Sequence, residues 1–477
     1  MKRTGNKRGL LLAVLLPLLG AAQSGGGTNP DTTKPTKHEF TIQQAVDYAK
    51  KNNLNVKNAL LDVQYQEQVN KEITSRAYPG INASLSTTYN PNVATQVLPN
   101  FISPSTYQVL IDQGVKDGNG NPIQMPADFG FIAAQFGTKY SASAGIALSQ
   151  LLFDGQVFVG LQARDATMRF ARKNVEVTEE MIKTNIYKIY YQLVVSKTQV
   201  ELLEANIQRL EKLQHDTKII FENGFAEKLD VDKLNVALTN LRTEKGKVMN
   251  SISNGYYGLK VLMGMPVKDE LVLTDLLTEE QIKDGILEAS IYKYEDRKEF
   301  QYAQIGKELN EYNIKRYKLS QIPTISLSGQ YAKNAQRNKW NFLDKGDWFT
   351  ISSVNLNMSI PIFNGFYTKS KIQQTRIDLR KTENQIEALK LSIDSEVETA
   401  KNNYRSAIST MDYQKKNMEL AETVYQQTKK KYEVGTGSQT EINAAQVELK
   451  TAQTSYITAL YDAVIARIEF LKATGKL

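Results

Sequence analysis

Apolar and polar residues alternate with a period of two in four stretches of this chain. Ile81, Ala83, Leu85 and Tyr89 are interleaved with Asn82, Ser84, Ser86 and Thr88. Tyr140, Ala142, Ala144, Ile146 and Leu148 alternate with Ser141, Ser143, Gly145 and Ser149, and Ile325, Leu327 and Tyr331 oppose Ser326, Ser328 and Gln330. In the fourth stretch Val354, Leu356, Met358 and Ile360 oppose Asn355, Asn357 and Ser359. A period of two predicts half-buried strands. Their polar faces are small and uncharged, which suits strands with lipid on one side and water on the other.

After each strand pair the period changes. Residues 155–221 and 365–432 contain no proline, and at about 1.5 Å per residue each predicted helix spans roughly 100 Å. In the first, Ile182, Ile186, Ile189, Leu193, Val200, Leu203, Ile207 and Leu210 keep a four-three rhythm, with Ser196 in the one gap. An offset of 211 places Ile393, Val397, Ala400, Tyr404, Met411, Gln414, Met418 and Ala421 on the same seam. A heptad spacing predicts coiled-coil packing against neighbouring helices.

The chain is in fact written twice. "FENGFAEKLDVDKLNVAL" (Phe221 to Leu238) aligns with "YEVGTGSQTEINAAQVEL" (Tyr432 to Leu449) at 211, and the same offset carries Gly264 onto Gly475. "LLFDG" (Leu151 to Gly155) aligns with "PIFNG" (Pro361 to Gly365) at 210, and "YPGINASL" from Tyr78 with "IPTISLSG" from Ile322 at 244. The difference is an insertion between Asn90 and Lys139, rich in Pro, Gly, Asn and Asp, which predicts a long loop in the first half. Each half reads helix, strand, loop, strand, very long helix, turn, helix. Gly224 and Gly435 stop the long helices at matching positions, as left-handed caps do. The predicted organisation is a signal peptide over 1–22, a flexible lead-in over 23–37, a first repeat over 38–264, a linker over 265–288 and a second repeat over 289–477.

The signal peptide follows from Lys2, Arg3, Lys7 and Arg8 before the apolar run Leu10 to Leu16, with cleavage expected after Ala22. Its removal takes four positive charges from a formal net charge of +8, leaving too mild a balance to suggest nucleic acid. With no cysteine the exported chain depends on burial or assembly rather than disulfides, and it lacks the residue that anchors a lipoprotein. No later stretch is apolar for the roughly 18 residues a spanning helix needs. Four strands cannot close a barrel, which takes at least eight, and hydrocarbon does not tolerate an open sheet edge. Several chains must then share one barrel; two would give eight strands and a filled interior, three would give twelve and a lumen.

Enzyme chemistry is not legible. His38, in the lead-in, and His215, on the long helix, read as surface histidines, and without cysteine there is no Cys/His metal cluster. The "GTG" at Gly435 lacks the flanks of a phosphate loop, and "DGNGN" at Asp117 lacks the spaced carboxylates of a calcium loop. No cofactor is expected.

The duplicated order, the "FDG" and "FNG" signals before the long helices, the opening "FTIQQAVDYAKKNNLNVKNA" and the "YEVGTGSQTEINAAQVEL" turn resemble the TolC-like outer membrane factors over essentially the whole mature chain. The resemblance implies a mixed α and β membrane protein: a homotrimer with a 12-stranded β-barrel, four strands per chain, continued by a long α-helical coiled-coil barrel. It implies a passive export duct from periplasm to exterior, seated in outer-membrane lipid and served by a periplasmic adaptor and an inner-membrane pump. Drugs, metal ions and polypeptides are all open as cargo. An equatorial belt would include Met265 to Gly285. The turns carrying Gly224, Phe225, Gly435, Thr436 and Gly437 would sit together at the periplasmic mouth as the adaptor contact. The family's acidic ring at the closed mouth falls on Glu441, and its second acidic position on Ala444. A linking tyrosine and aspartate fall on Tyr432 and Asp230, and an arginine link is lost at Gly437. Ser438-Gln439-Thr440-Glu441 is also a capping-box pattern, which would turn Glu441 toward its own helix. Tyr78, Tyr89, Tyr140, Tyr331, Trp340 and Trp348 are expected at or just beyond strand ends, where amphipathic rings suit the headgroup zone. The competing reading is a periplasmic coiled-coil adaptor or scaffold without a pore.

Overall fold

The computed structural model describes residues 36–275, 277–283, 291–344 and 346–477. The signal peptide, the lead-in before residue 36 and the end of the linker lie outside the described residues. The chain forms two compact units, Met1–Asn53 with Ile186–Thr278, and Leu54–Asn185 with Glu279–Leu477.

In the first unit, strand β1 (Lys37–Phe40) pairs in parallel with β6 (Glu270–Leu273). His38 therefore lies in a strand rather than a mobile lead-in; its Nε2 is 3.4 Å from Asp269 Oδ2, which holds this chain entry in place. Helix α1 (Ile42–Asn52) opens with a capping box: Gln44 N–H donates to Thr41 Oγ1 at 3.3 Å and Thr41 N–H to Gln44 Oε1 at 2.9 Å. The opening helix expected from "FTIQQAVDYAKKNNLNVKNA" is interrupted at Asn53, where α1 ends and α2 (Leu54–Ser75) begins. Asn53 is buried and donates from Nδ2 to the Leu262 carbonyl at 2.6 Å. A buried amide must find partners, and this one fixes α1 against the end of α5 (Lys228–Met263). Tyr190, in helix α4 (Gly155–Glu222), donates to the Phe40 carbonyl at 3.0 Å and accepts from the Asp275 N–H at 3.2 Å. The α4 seam residues Ile186, Leu193, Leu203 and Leu210 are buried in this unit, as are Leu234, Leu238, Leu241, Leu259 and Met263 of α5. Ion pairs, Arg242 with Glu211 and the half-buried Lys245 with Glu204, both at 2.7 Å, bridge the two helices.

In the second unit the four alternating stretches form one antiparallel sheet in the order β2 (Gly80–Tyr89), β5 (Tyr140–Phe153), β7 (Thr324–Arg337), β8 (Phe349–Ser359). The insertion after Asn90 is more than a loop: β3 (Thr95–Pro99) pairs with β4 (Phe131–Gln135) around helix α3 (Ile102–Asp112). Its turn composition hid these short elements. Helix α8 (Tyr367–Glu433) packs between α7 (Lys298–Leu319) and α9 (Gln439–Ala473). Ile393, Val397, Ala400, Tyr404 and Met411 of the expected seam are buried, and Tyr404 stacks on Phe470 with ring centres 5.6 Å apart. Ala400 and Ala421 stand where the first repeat has Ile189 and Leu210.

Helix α6 (Glu279–Lys283) is pinned to α8 and α9. Glu279 accepts from Lys415 Nζ at 2.9 Å and from the Tyr456 hydroxyl at 2.7 Å. Lys283 Nζ lies 2.6 Å from Asp412 Oδ1, and Tyr404 donates to the Ile282 carbonyl at 2.6 Å. Burial pushes the Glu279 carboxyl up, but the bonds from Lys415 and Tyr456 outweigh it and hold it below its ordinary value. Farther along α8, Tyr292 and Tyr294 both donate to Asp394, and this bond pushes the Tyr292 hydroxyl up to about 12.

Gly264 closes α5 in the left-handed region, φ 71°, and a Cβ there would lie 2.3 Å from the Asn52 carbonyl oxygen. Gly224 is also left-handed, φ 83°, but meets nothing within 4 Å. A side chain in this region costs about 1–2 kcal/mol by itself. Gly224→Ala should cost about that much, and Gly264→Ala distinctly more because Asn52 must move. Thermal unfolding of the purified protein measures both; equal shifts would show that the Asn52 contact relaxes freely.

Candidate functional site

Among the described residues no helix is long and apolar enough to cross a membrane, and no cluster of His, Cys, Asp or Glu could hold a metal ion. The sheet carries the first candidate surface. Its register puts Ile81 opposite Leu148, Leu148 opposite Gly329 and Gly329 opposite Val354. Ala83, Ile146, Tyr331 and Ser352 form the next row on the same face. The opposite face carries Ser84, Gly145, Ala332 and Ile351 in one row and Asn82, Ala147, Gln330 and Ser353 in another. Four separate alternations thus merge into one apolar and one mostly small, polar face. Leu85 is 83 % and Val354 79 % exposed, so the apolar side chains point away from the protomer's own core.

The apolar band crosses the hydrogen-bonded rows obliquely. Leu85 lies in the row of Lys333 and Thr350, while the band on β7 and β8 continues through Leu327 with Leu356 and Ile325 with Met358. Strands tilted to a membrane plane require such a drift. The drift also corrects the placement of Tyr331, which is mid-strand, between Ile146 and Ser352, rather than at a strand end. Sequence spacing ends the alternation at Tyr331, whereas pairing with β5 and β8 extends β7 to Arg337. The other aromatics lie at strand ends: Tyr78 just before β2, and Tyr89 stacked on Tyr140 at 4.8 Å. Trp340 and Trp348 flank Phe342 in the β7–β8 loop, with ring centres 6.3 and 6.2 Å apart, and the Arg337 guanidinium lies over Phe342.

Among the described residues the outer strands of this sheet have no second partner. β2 pairs only with β5 and β8 only with β7, and every residue of both is exposed. Such edges present rows of unpaired N–H and C=O groups.

The helix turns are the second candidate. Phe225 N–H donates to the Ile220 carbonyl at 3.0 Å and Gly224 N–H to Phe221 at 2.8 Å. Thr436 and Gly435 repeat both bonds, to Lys431 at 2.9 Å and Tyr432 at 3.0 Å, with Gly435 at φ 77°. Each is a Schellman cap that satisfies the last carbonyls of a long helix. Phe225 is 86 % exposed and takes no part in its turn through its ring. Asp230 and Glu441 occupy equivalent positions in the two repeats, three residues into the next helix. Their surroundings differ: Asp230 lies 3.8 Å from Lys233 Nζ, whereas Glu441 forms the reciprocal box with Ser438, at 3.2 and 3.3 Å. In the protomer Glu441 therefore caps α9.

Residues 294–476 match the family model described as outer membrane efflux protein. The outer membrane protein TolC of Vibrio cholerae is 22 % identical over 338 residues, covering 70 % of this chain and 77 % of that protein. The CmeC outer membrane channel of Campylobacter jejuni superposes with a TM-score of 0.68 at 14 % identity, over 94 % of this chain and 90 % of that one. The outer membrane protein VceC of Vibrio cholerae does so with 0.66 at 13 %, over 91 % and 96 %.

Proposed function

Because the chain belongs to the TolC-like outer membrane efflux protein family, we propose that it is the outer-membrane channel subunit of a tripartite efflux system. It is a duct rather than an enzyme. It works from the outer membrane with a periplasmic extension, and a periplasmic adaptor and an inner-membrane pump supply its cargo. The observation that carries this reading is the four-stranded sheet with one apolar face, one polar face and two unpaired edges. In hydrocarbon those edges must find partners, and the only identical supply is another copy. Pairing β2 of one protomer with β8 of the next in a ring of three gives twelve strands and leaves a lumen lined by the Asn- and Ser-rich face. A coiled-coil scaffold has no use for a sheet whose apolar side faces outward, although the long helices alone would suit one.

The purified protein should be a detergent-dependent trimer. Multi-angle light scattering checks this, and a folded, protease-resistant monomer that stays soluble without detergent would overturn the shared barrel.

The adaptor is assigned to the turns Gly224 to Glu227 and Gly435 to Ser438, through Phe225, Thr436 and the backbone around Gly437. The exposure of Phe225 supports this, because its ring is not needed for the cap. Phe225→Asp or Thr436→Asp should lower export at least several-fold while trimer and membrane level stay normal. Unchanged export from both would place the adaptor elsewhere.

Asp230, Tyr432 and Glu441 are assigned to the closed periplasmic gate, on family resemblance and on the equivalence of Asp230 and Glu441 in the two repeats. Single-channel conductance in planar bilayers should rise with Tyr432→Phe plus Asp230→Ala, and Glu441→Gln should weaken cation selectivity. If Glu441→Gln only lowers the melting temperature, by an amount matching the roughly 1 kcal/mol of a cap, its role is confined to the box with Ser438.

A further inference from the structure

The β8–α8 elbow departs from its counterpart in the first repeat. Between them the chain runs Ile360-Pro361-Ile362-Phe363-Asn364-Gly365-Phe366. Ile362 is 94 % exposed, Phe363 74 % and Phe366 64 %, and the two phenyl rings meet edge to face at 5.4 Å. Phe366 holds φ at 64° directly after Gly365 at 61°, and it is the only residue other than glycine with positive φ among the described residues. Bulky side chains avoid this region, so the local geometry is kept against a conformational cost while the ring it displays is left in the open.

Two cations lie over aromatic rings at this elbow. Lys369 Nζ lies 6.0 Å from the Phe366 ring centre and Lys371 Nζ 5.9 Å from that of Tyr367. Lys371 donates to the Gln374 amide oxygen at 3.1 Å, and neither lysine has a carboxylate partner among the ion pairs of the described residues. The first turn of α8 contains no acidic residue, although this end of a helix disfavours cations. The equivalent segment of the first repeat, "LLFDGQVFVGL", carries Asp154 and no lysine. There Asp154 Oδ1 accepts from the Gln156 N–H at 2.7 Å and closes the turn on itself.

We infer that the elbow formed by Phe363, Phe366, Lys369 and Lys371 is a binding site for anionic phospholipid in the periplasmic leaflet. The inference rests on the proposed barrel, because the elbow continues the apolar face of β8 beyond Met358 and Ile360, where that face must leave hydrocarbon. Aromatic rings at this depth sit among glycerol and carbonyl groups, and lysines one turn farther reach the phosphate layer, each adding attraction to an anionic surface. The site is made by the second repeat alone, so a trimer carries three.

The test uses the full mature chain, purified as a trimer in neutral detergent and offered equal amounts of phosphatidylglycerol and phosphatidylcholine. Phospholipid retained after washing is counted by mass spectrometry. Phosphatidylglycerol should be retained at least fivefold over phosphatidylcholine, and K369Q/K371Q should lower its retention at least threefold with the trimer intact. F366G should raise the melting temperature by relieving the left-handed strain and still reduce retention, a combination that a purely structural ring would not produce. Equal retention of the two lipids, or retention indifferent to K369Q/K371Q, overturns the site while the barrel stands. Dissociation of the trimer by F366G also overturns it and places the next copy of the chain over the ring. Failure to form a detergent-dependent trimer sinks the barrel and this site together.

Discussion

The outer edges of β2 and β8 expose backbone amides and carbonyls along two strands of transmembrane length, and most of what this protein does follows from how that is resolved. In water such edges could be solvated. Against hydrocarbon each unpaired group costs several kcal/mol. Neither a proline nor a bulge blunts β2 or β8, and among the described residues no segment pairs with their outer edges. The register aligns four apolar stripes on one face, and that face is exposed rather than packed against the protomer's own helices. Assembly is therefore built into the sheet, and the helices attached to β5 and β8 are carried with it.

The duplication shows which features are mechanical and which are free to diverge. Both long helices end in the same Schellman bonds, and so do α5 at Gly264 and α9 at Gly475. Carbonyls at helix ends need partners whatever the function, so these four turns stayed alike. The residues just beyond them did not. Glu227 makes no side-chain cap at the start of α5, while Ser438 and Glu441 form a full box on α9. The seam is softer in the second repeat, where Tyr404 reaches the Ile282 carbonyl and joins α6 to the helix pair. The strand-to-helix elbows diverged as well: one turn is closed by Asp154, the other is left-handed with exposed rings and lysines.

Strand and helix identity were legible in the sequence because they are carried by local period. The alternation from Ile81 to Tyr89 and the heptads from Ile182 and Ile393 identify their elements without reference to any partner. The repeat offset located the turns, since a left-handed cap is met by glycine and little else. Even the inability of four strands to close was countable.

Other features depended on which distant segments meet. β1 is four residues long and is a strand only because Glu270–Leu273 lies beside it; that pairing drew His38 into order. The opening helix breaks at Asn53, whose amide is spent on the distant Leu262 carbonyl. Tyr331 looked like a strand end until β5 and β8 extended β7 past it. The sequence by itself thus determined the four strands of the sheet, the two long helices, their duplication, the glycine turns that end those helices and the need for more than one chain, all of which are written in spacings of a few residues or in a constant offset. Only the tertiary structure decided register, the oblique run of the apolar band and the docking of α6, because each depends on a hydrogen bond or contact between segments whose separation along the chain leaves no periodic trace.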